Sequence, residues 1–189
     1  MKTKKIVIVD MVNGFVKEGA LHDPRIMDIT ENIKSLLAHK QDHGIIVLED
    51  CHEEGCAEFN SFPPHCIKGT SEAKTIDELQ YVFDLENFEA CVQKNSTNGF
   101  FAMKEADLLT ADEYILVGCC TDICVAQLAM TLKVYGNDAN EPKKVIVVKD
   151  GVATYDAFNH AAAEYDEAAF KLMGIAGVEV KSLAEILED

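Results

Sequence analysis

Tryptophan is absent from the 189 residues, and aromatic side chains make up only 7% of them. Any aromatic wall of a pocket must come from nine Phe and five Tyr. Basic residues are scarce: 17 Lys and Arg stand against 33 Asp and Glu, a formal net charge of −16. That balance argues against a nucleic-acid backbone or an anionic membrane as partner. Proline is rare too, and two of the four stand together at Pro63 and Pro64. No apolar run approaches the ~18 residues needed to span a bilayer. The basic start at Lys4 and Lys5 leads only to Ile6–Val9 before Asp10. A secretory core takes roughly 7–15 apolar residues. The expectation is a cytoplasmic protein whose seven cysteines, an odd number, stay reduced, with some of them reactive or metal-bound.

What is there points to a folded enzyme-sized unit. Hydrophobic residues make up 48%, enough for a core and too many for a mainly disordered chain. The length suits a single domain over 1–189. Apolar runs of strand length fall at Ile6–Val9, Ile45–Leu48, Cys91–Gln93, Tyr114–Val117, Val145–Val148 and Val178–Val180. Stretches of helical period alternate with them: Ile26–Leu37, Ile123–Val134 with a stop at Gly136, Ala157–Met173 with a stop at Gly174, and Leu183–Leu187. This alternation predicts an α/β fold, a three-layer αβα sandwich around a central, mostly parallel sheet. The one long irregular stretch, about 50–71, is rich in His, Cys and carboxylates, which favours a functional loop.

Ligands of open α/β sheets bind beyond the carboxyl ends of the strands, so the residues there carry the chemistry. Strand one ends in Asp10, strand two in Asp50-Cys51-His52, strand three in Lys94, and strand four in Gly118-Cys119-Cys120-Thr121-Asp122-Ile123-Cys124. Alone, Asp10 reads equally as a turn-forming acid, Lys94 as a solvated lysine and Cys124 as a packing thiol. Together they supply a base, a cation and a nucleophile. Thr121 or Asp122 as N-cap would set Cys124 in a first helical turn, where the dipole lowers a thiol pKa. Cys119 and Cys120 read as packing thiols.

In the loop, Asp50 and His52 are two apart and share a face when extended. His65 follows the stiff Pro63-Pro64 pair. One carboxylate and two imidazoles suit a catalytic divalent-metal site with open positions, as for zinc, iron or manganese. An exposed polar loop and a Cys/His zinc site using Cys51, Cys56 and Cys66 are the competing readings. His22, His39, His43 and His160 read as ordinary surface or helix histidines, and Glu164 to Glu167 as a solvated helix face. Phe15, Phe62 and Phe100 lie near these groups in sequence and could sandwich a flat ring.

The set Ile8-Val9-Asp10 with Phe15, Asp50-x-His52, Phe62-Pro63-Pro64-His65-Cys66-x-x-Gly69-Thr70, Lys94, and Gly118-x-x-Thr121-Asp122-x-Cys124-Val125 resembles the isochorismatase-like cysteine hydrolases, and within them the nicotinamidases (pyrazinamidases). The resemblance runs in order over nearly the whole chain. It implies a catalytic triad of Asp10, Lys94 and Cys124. It implies one divalent ion, zinc foremost with iron or manganese as alternatives, on Asp50, His52 and His65, with Glu58 as a further carboxylate. A cis bond between Cys119 and Cys120 would turn the backbone amides of Cys120 and Cys124 into an oxyanion hole. The implied reaction is hydrolysis of nicotinamide to nicotinate and ammonia through a cysteine thioester, a step of NAD salvage. A small molecule is then the partner, with no nucleic acid and no membrane, and a homo-oligomer is left open. Thr97 departs from the family, which often has an aromatic residue three positions after the lysine; Phe100 could stand in for it. A cysteine hydrolase of another small amide or ureido substrate, and a non-enzymatic thiol-rich metal-binding or redox protein, are the alternatives.

Overall fold

Six strands form one sheet: β1 (Lys4–Val9), β2 (Gly44–Asp50), β3 (Phe88–Lys94), β4 (Glu113–Cys119), β5 (Lys144–Ala153) and β6 (Glu179–Lys181). Their spatial order is β3-β2-β1-β4-β5-β6, and every pairing is parallel. The computed structural model describes residues 3–188; Met1, Lys2 and Asp189, which the expected 1–189 unit also takes in, lie outside them.

Successive side chains on a strand point to opposite faces, and this sorts the core into two halves. In β1, Ile6 and Ile8 belong to one half and Val7 and Val9 to the other. The first half is covered by α1 (Asn13–Val16), α2 (Thr30–His39) and α6 (Leu183–Glu188). The second is covered by α3 (Phe100–Glu105), α4 (Ala126–Asp138) and α5 (Ala162–Ile175). The result is the expected αβα sandwich. Among the described residues no helix is long and apolar enough to cross a membrane.

From β1 the chain works outward through β2 to β3, then returns to the centre for β4 and works outward the other way. The order therefore reverses between β1 and β4, and their carboxyl ends flank the crevice where such sheets bind ligands. Gly118 permits the close approach there. It pairs with Val9 at a φ of +114°, and a Cβ on it would sit 2.0 Å from the Val9 carbonyl oxygen.

Several element boundaries differ from the sequence expectation. The helix expected over 26–37 begins as a 3-10 segment, Pro24–Ile29, before α2. The helix expected to stop at Gly136 runs on to Asp138. Gly136 serves close packing instead, since a Cβ there would meet the Glu141 carbonyl oxygen at 2.7 Å. The helix expected from Ala157 starts at Ala162, because Ala157 and His160 exchange two backbone hydrogen bonds of 2.9 Å in a tight turn. Asp156 Oδ1 then accepts from the Ala162 amide at 3.0 Å and starts the helix. It ends at Ile175 rather than at Gly174. The short helices α1 and α3 and the 3-10 segment Asp77–Asp84 carry too few periodic positions to be read from sequence.

Candidate active site

Asp10 leaves β1 in the left-handed region, at a φ of +51°. Its amide donates to the Leu48 carbonyl at 3.0 Å, and its carbonyl accepts from Cys119 Sγ at 3.1 Å. The neighbouring strands thus fix the turn that aims its carboxylate. Lys94 ends β3 directly opposite Asp50 in the sheet register. Its side chain is 1% exposed, which removes the solvated-lysine reading. Lys94 Nζ lies 2.6 Å from Asp50 Oδ1, 2.9 Å from Asp10 Oδ2, 3.2 Å from the Ser96 carbonyl and 3.9 Å from Cys124 Sγ. The contact with Asp10 is an ion pair without hydrogen-bond alignment, so both Asp10 oxygens lack an aligned donor.

Cys124 sits in a π-helical turn, Thr121–Val125, entered after a cis peptide bond between Cys119 and Cys120. The expected side-chain N-cap does not form: Cys120 occupies that position in extended conformation. Asp122 turns away instead. Its Oδ1 accepts from Thr154 Oγ1 at 2.5 Å and its Oδ2 faces His160 Nε2 at 2.8 Å. The expected lowering of the thiol pKa is also corrected. Burial pushes Cys124 well above the ordinary thiol range, and the Lys94 ammonium only partly offsets it. Burial likewise raises Asp10 to about 6, against the attraction of Lys94 and with the repulsion of Asp50. Burial would lower Lys94, but the charges of Asp10, Cys124 and Asp50 hold it well above the ordinary lysine range. The resting site is a thiol beside a buried carboxylate poised near neutrality.

The loop after β2 folds back on itself. The His52 amide donates to the Cys66 carbonyl and the Lys68 amide to the His52 carbonyl, both at 2.9 Å. This bridge brings His65 beside His52. His52 Nε2 and His65 Nε2 lie 2.9 and 3.0 Å from the same oxygen, Asp50 Oδ2, and all three residues are buried. Among the described residues this is the one cluster of His, Cys, Asp and Glu able to hold an ion; Cys51, Cys56 and Cys66 form none.

The donor set fits a divalent cation. His65 Nδ1 is 2.8 Å from the Pro63 carbonyl, which only accepts, so that nitrogen carries the proton. In the neutral ring Nε2 is then a lone pair facing an Asp50 lone pair, an arrangement that a cation between them resolves. Asn95 Oδ1 backs His52 Nδ1 at 3.2 Å in the same manner. Against burial, the Lys94 ammonium holds Asp50 well below the usual carboxylate range, so it presents an anionic oxygen to the two rings. Glu58 stays apart from this cluster: its Oε1 accepts from the Thr97 amide at 3.2 Å and from the Thr97 hydroxyl.

A cavity of about 300 Å³ opens onto Asp50, His65, Cys120 and Cys124. Phe15 and Phe62 form part of its wall, as the sequence suggests. Phe100 does not: it packs in the core against Tyr135, with ring centroids 5.2 Å apart. Thr97 lines the cavity in place of the aromatic residue, together with Leu21, Ile123 and Tyr155. Phe59, also unforeseen, sheathes both histidines at 5.4 and 5.7 Å.

His43 and His160 are buried, contrary to the surface assignment, whereas His22 and His39 are exposed. His43 lies between Asp42 and Glu113. His160 is stacked between Tyr155 and Tyr165, at 3.9 and 3.7 Å, and ties the turn carrying Cys124 to the cavity wall through Asp122. No local motif announces His160; its partner lies 38 residues away.

The model of the Isochorismatase domain matches residues 4–183. Nicotinamidase 1 of Arabidopsis thaliana is 29% identical over 179 residues, covering 84% of this chain and 72% of that protein. The nicotinamidase/pyrazinamidase of Mycobacterium tuberculosis is 28% identical over 200 residues, covering 94% and 97%. A structure from L. infantum, solved in complex with nicotinate, shares the fold at a TM-score of 0.74 and 19% identity, covering 97% of this chain and 94% of its own. Since the domain model takes in all six strands and the turns at their carboxyl ends, the chain belongs to the isochorismatase family.

Proposed function

We propose that this protein is a cysteine amidohydrolase that converts nicotinamide to nicotinate and ammonia. The nicotinamidase relatives and the hydrolase fold support an amidohydrolase. The observation that carries the finer reading is one ammonium serving three groups. Lys94 Nζ reaches Asp10, Cys124 and Asp50, and the last two line a cavity sized for a small ring amide.

The chemistry follows from the protonation states. Asp10 takes the proton of Cys124 as the sulfur attacks the carboxamide carbon. Lys94 stabilises the thiolate as it forms. The backbone amides of Cys120 and Cys124 hold the developing oxyanion, each such donor typically contributing about 3–4 kcal/mol. Asp10 passes its proton to the nitrogen, the C–N bond breaks and ammonia leaves a thioester. Water, deprotonated by Asp10, then attacks that thioester, and nicotinate and the Cys124 thiol are released. Phe15 and Phe62 flank the ring. Asp50, His52 and His65 would hold a divalent ion, zinc foremost, which would supply a Lewis acid for the heteroaromatic ring. A cytoplasmic setting suits a mechanism that needs Cys124 as a free thiol, and all seven cysteines are unpaired.

The test is ammonia release from nicotinamide by purified protein, with and without chelator, beside a panel of other small amides and ureido compounds. Preferred turnover of nicotinamide, lost in Cys124→Ala, is the expected result. Turnover of a ureido substrate in its place reassigns the amide and keeps the mechanism. No hydrolysis of any panel member by the metal-loaded protein overturns both.

A further inference from the structure

α5 carries a largely exposed apolar stripe, of which only Tyr165 is partly covered, by the His160 ring. The helix buries only Ala169 and Met173 fully. On its outer side Tyr165, Leu172 and Ile175 are 40%, 58% and 85% exposed, and Ala168 between them is exposed as well. Upstream stand exposed Ala161 and Phe158, the latter with its whole side chain in solvent. The four positions within α5 are spaced by three, four and three residues, the period of a helix–helix seam, and its N-cap Ala161 precedes them by four. At 3.6 residues per turn, the four within α5 occupy roughly a quarter of its circumference. The stripe adjoins the buried face on one side and exposed Glu164, Glu167 and Lys171 on the other.

We propose that this stripe is a dimer seam for a second copy of the chain, packed antiparallel about a two-fold axis at Ala168. That register sets Tyr165 against Leu172 of the partner subunit, and Ala161 against Ile175 of the partner subunit. Ala168 lies on the axis, where a small side chain lets two helices approach closely. The same axis puts Glu164 beside Lys171 of the partner subunit, a lysine shared with Glu167, to which it pairs at 2.6 Å within its own helix. Two-fold symmetry repeats every contact, so the apolar and the charged patterns are both self-complementary. This complementarity selects a second copy over an unrelated partner, for which the 164/171 charge pattern has no reason to match.

Sedimentation equilibrium of the full chain tests this. The wild type is expected at twice the chain mass. Leu172→Glu/Ile175→Glu should raise the dimer dissociation constant at least about a hundredfold with an unchanged circular dichroism spectrum, since both side chains are exposed. Glu164→Lys and Lys171→Glu alone should each weaken the dimer by about tenfold, two ion pairs per dimer having turned repulsive. Mixing those two variants should restore wild-type affinity as a heterodimer, because each altered side chain then meets its opposite charge. A monomeric wild type, a dimer indifferent to Leu172→Glu/Ile175→Glu, or a mixture that forms no heterodimer overturns the proposal.

Discussion

Acidifying the assay isolates the role of Asp10. Proton transfer from Cys124 needs an ionised Asp10, and burial raises this carboxyl from 3.8 to about 6 because Lys94 offsets only part of the desolvation. About one pH unit below that value only about a tenth of the molecules carry the base. kcat/KM, followed by ammonia release, should therefore fall about tenfold per pH unit below about pH 6. A carboxylate at its ordinary value would hold the rate flat until about pH 4. Lys94→Met sharpens the test. With the attracting ammonium gone, the Asp10 pKa rises further, and the acid limb moves to higher pH. Two buried carboxylates are then left without their cation, which costs roughly 3–5 kcal/mol of stability and should lower Tm. The folding signature has a defined sign. A raised carboxyl pKa means that the folded state holds more protons than the unfolded state between 3.8 and about 6. The contribution of Asp10 to stability is therefore fully present at low pH and is lost as pH rises through that window. Asp10→Asn should abolish turnover and remove that slope together. A kcat/KM that stays flat from about pH 7 down to about pH 5 would refute the assignment.

The other expectations use simpler readouts. Cys124→Ala should lower kcat at least about a thousandfold while metal content by elemental analysis stays unchanged. His52→Ala or His65→Ala should reduce bound divalent metal and raise the KM for nicotinamide; full metal occupancy in both variants would place the ion elsewhere. Gly118→Ala should cost more than about 2 kcal/mol in denaturant unfolding, since the new Cβ meets the Val9 backbone at a φ that disfavours side chains. His160→Gln should raise KM about three- to tenfold with a smaller change in kcat, because it loosens the Tyr155 wall more than the reacting groups. A fall in kcat alone would assign His160 to the nucleophile turn instead.

The parts of the fold legible in the sequence are those where one physical signal dominates. β1, β2, β4 and β5 are buried on both faces, so their apolar runs are continuous and need no partner information. β3 lies at a sheet edge and alternates half-buried with exposed residues before the buried Lys94, which is why only Cys91–Gln93 of Phe88–Lys94 stands out. Helix ends were less legible because glycine has more than one use. Gly136 resembles a stop signal, yet its lack of a side chain admits the returning 141–143 segment against α4. α5 begins late for a similar reason: its upstream residues satisfy one another in a turn before Asp156 can start the helix.

The same logic separates what was visible of the site from what was not. Asp10, Asp50, Lys94 and Cys124 each stand at or just past the carboxyl end of a strand, so a correct strand assignment alone brings them to one edge. Topology sets that convergence, and the side-chain distances then follow. Electrostatics do not follow from position. A thiol near the start of a helix is expected to be acidified, but Cys124 is buried in the core half that holds Val7 and Val9, and desolvation outweighs the nearby ammonium. The residues missed, Phe59, Asn95 and Tyr155, and those whose part was not read, Thr97 and His160, act from loops whose paths depend on packing. Their contacts are long-range in sequence, as in His160 with Asp122 or Thr97 with Glu58. A chain of this kind shows its reacting atoms through the sheet it builds. The walls that choose its substrate depend on loop contacts that periodicity does not encode.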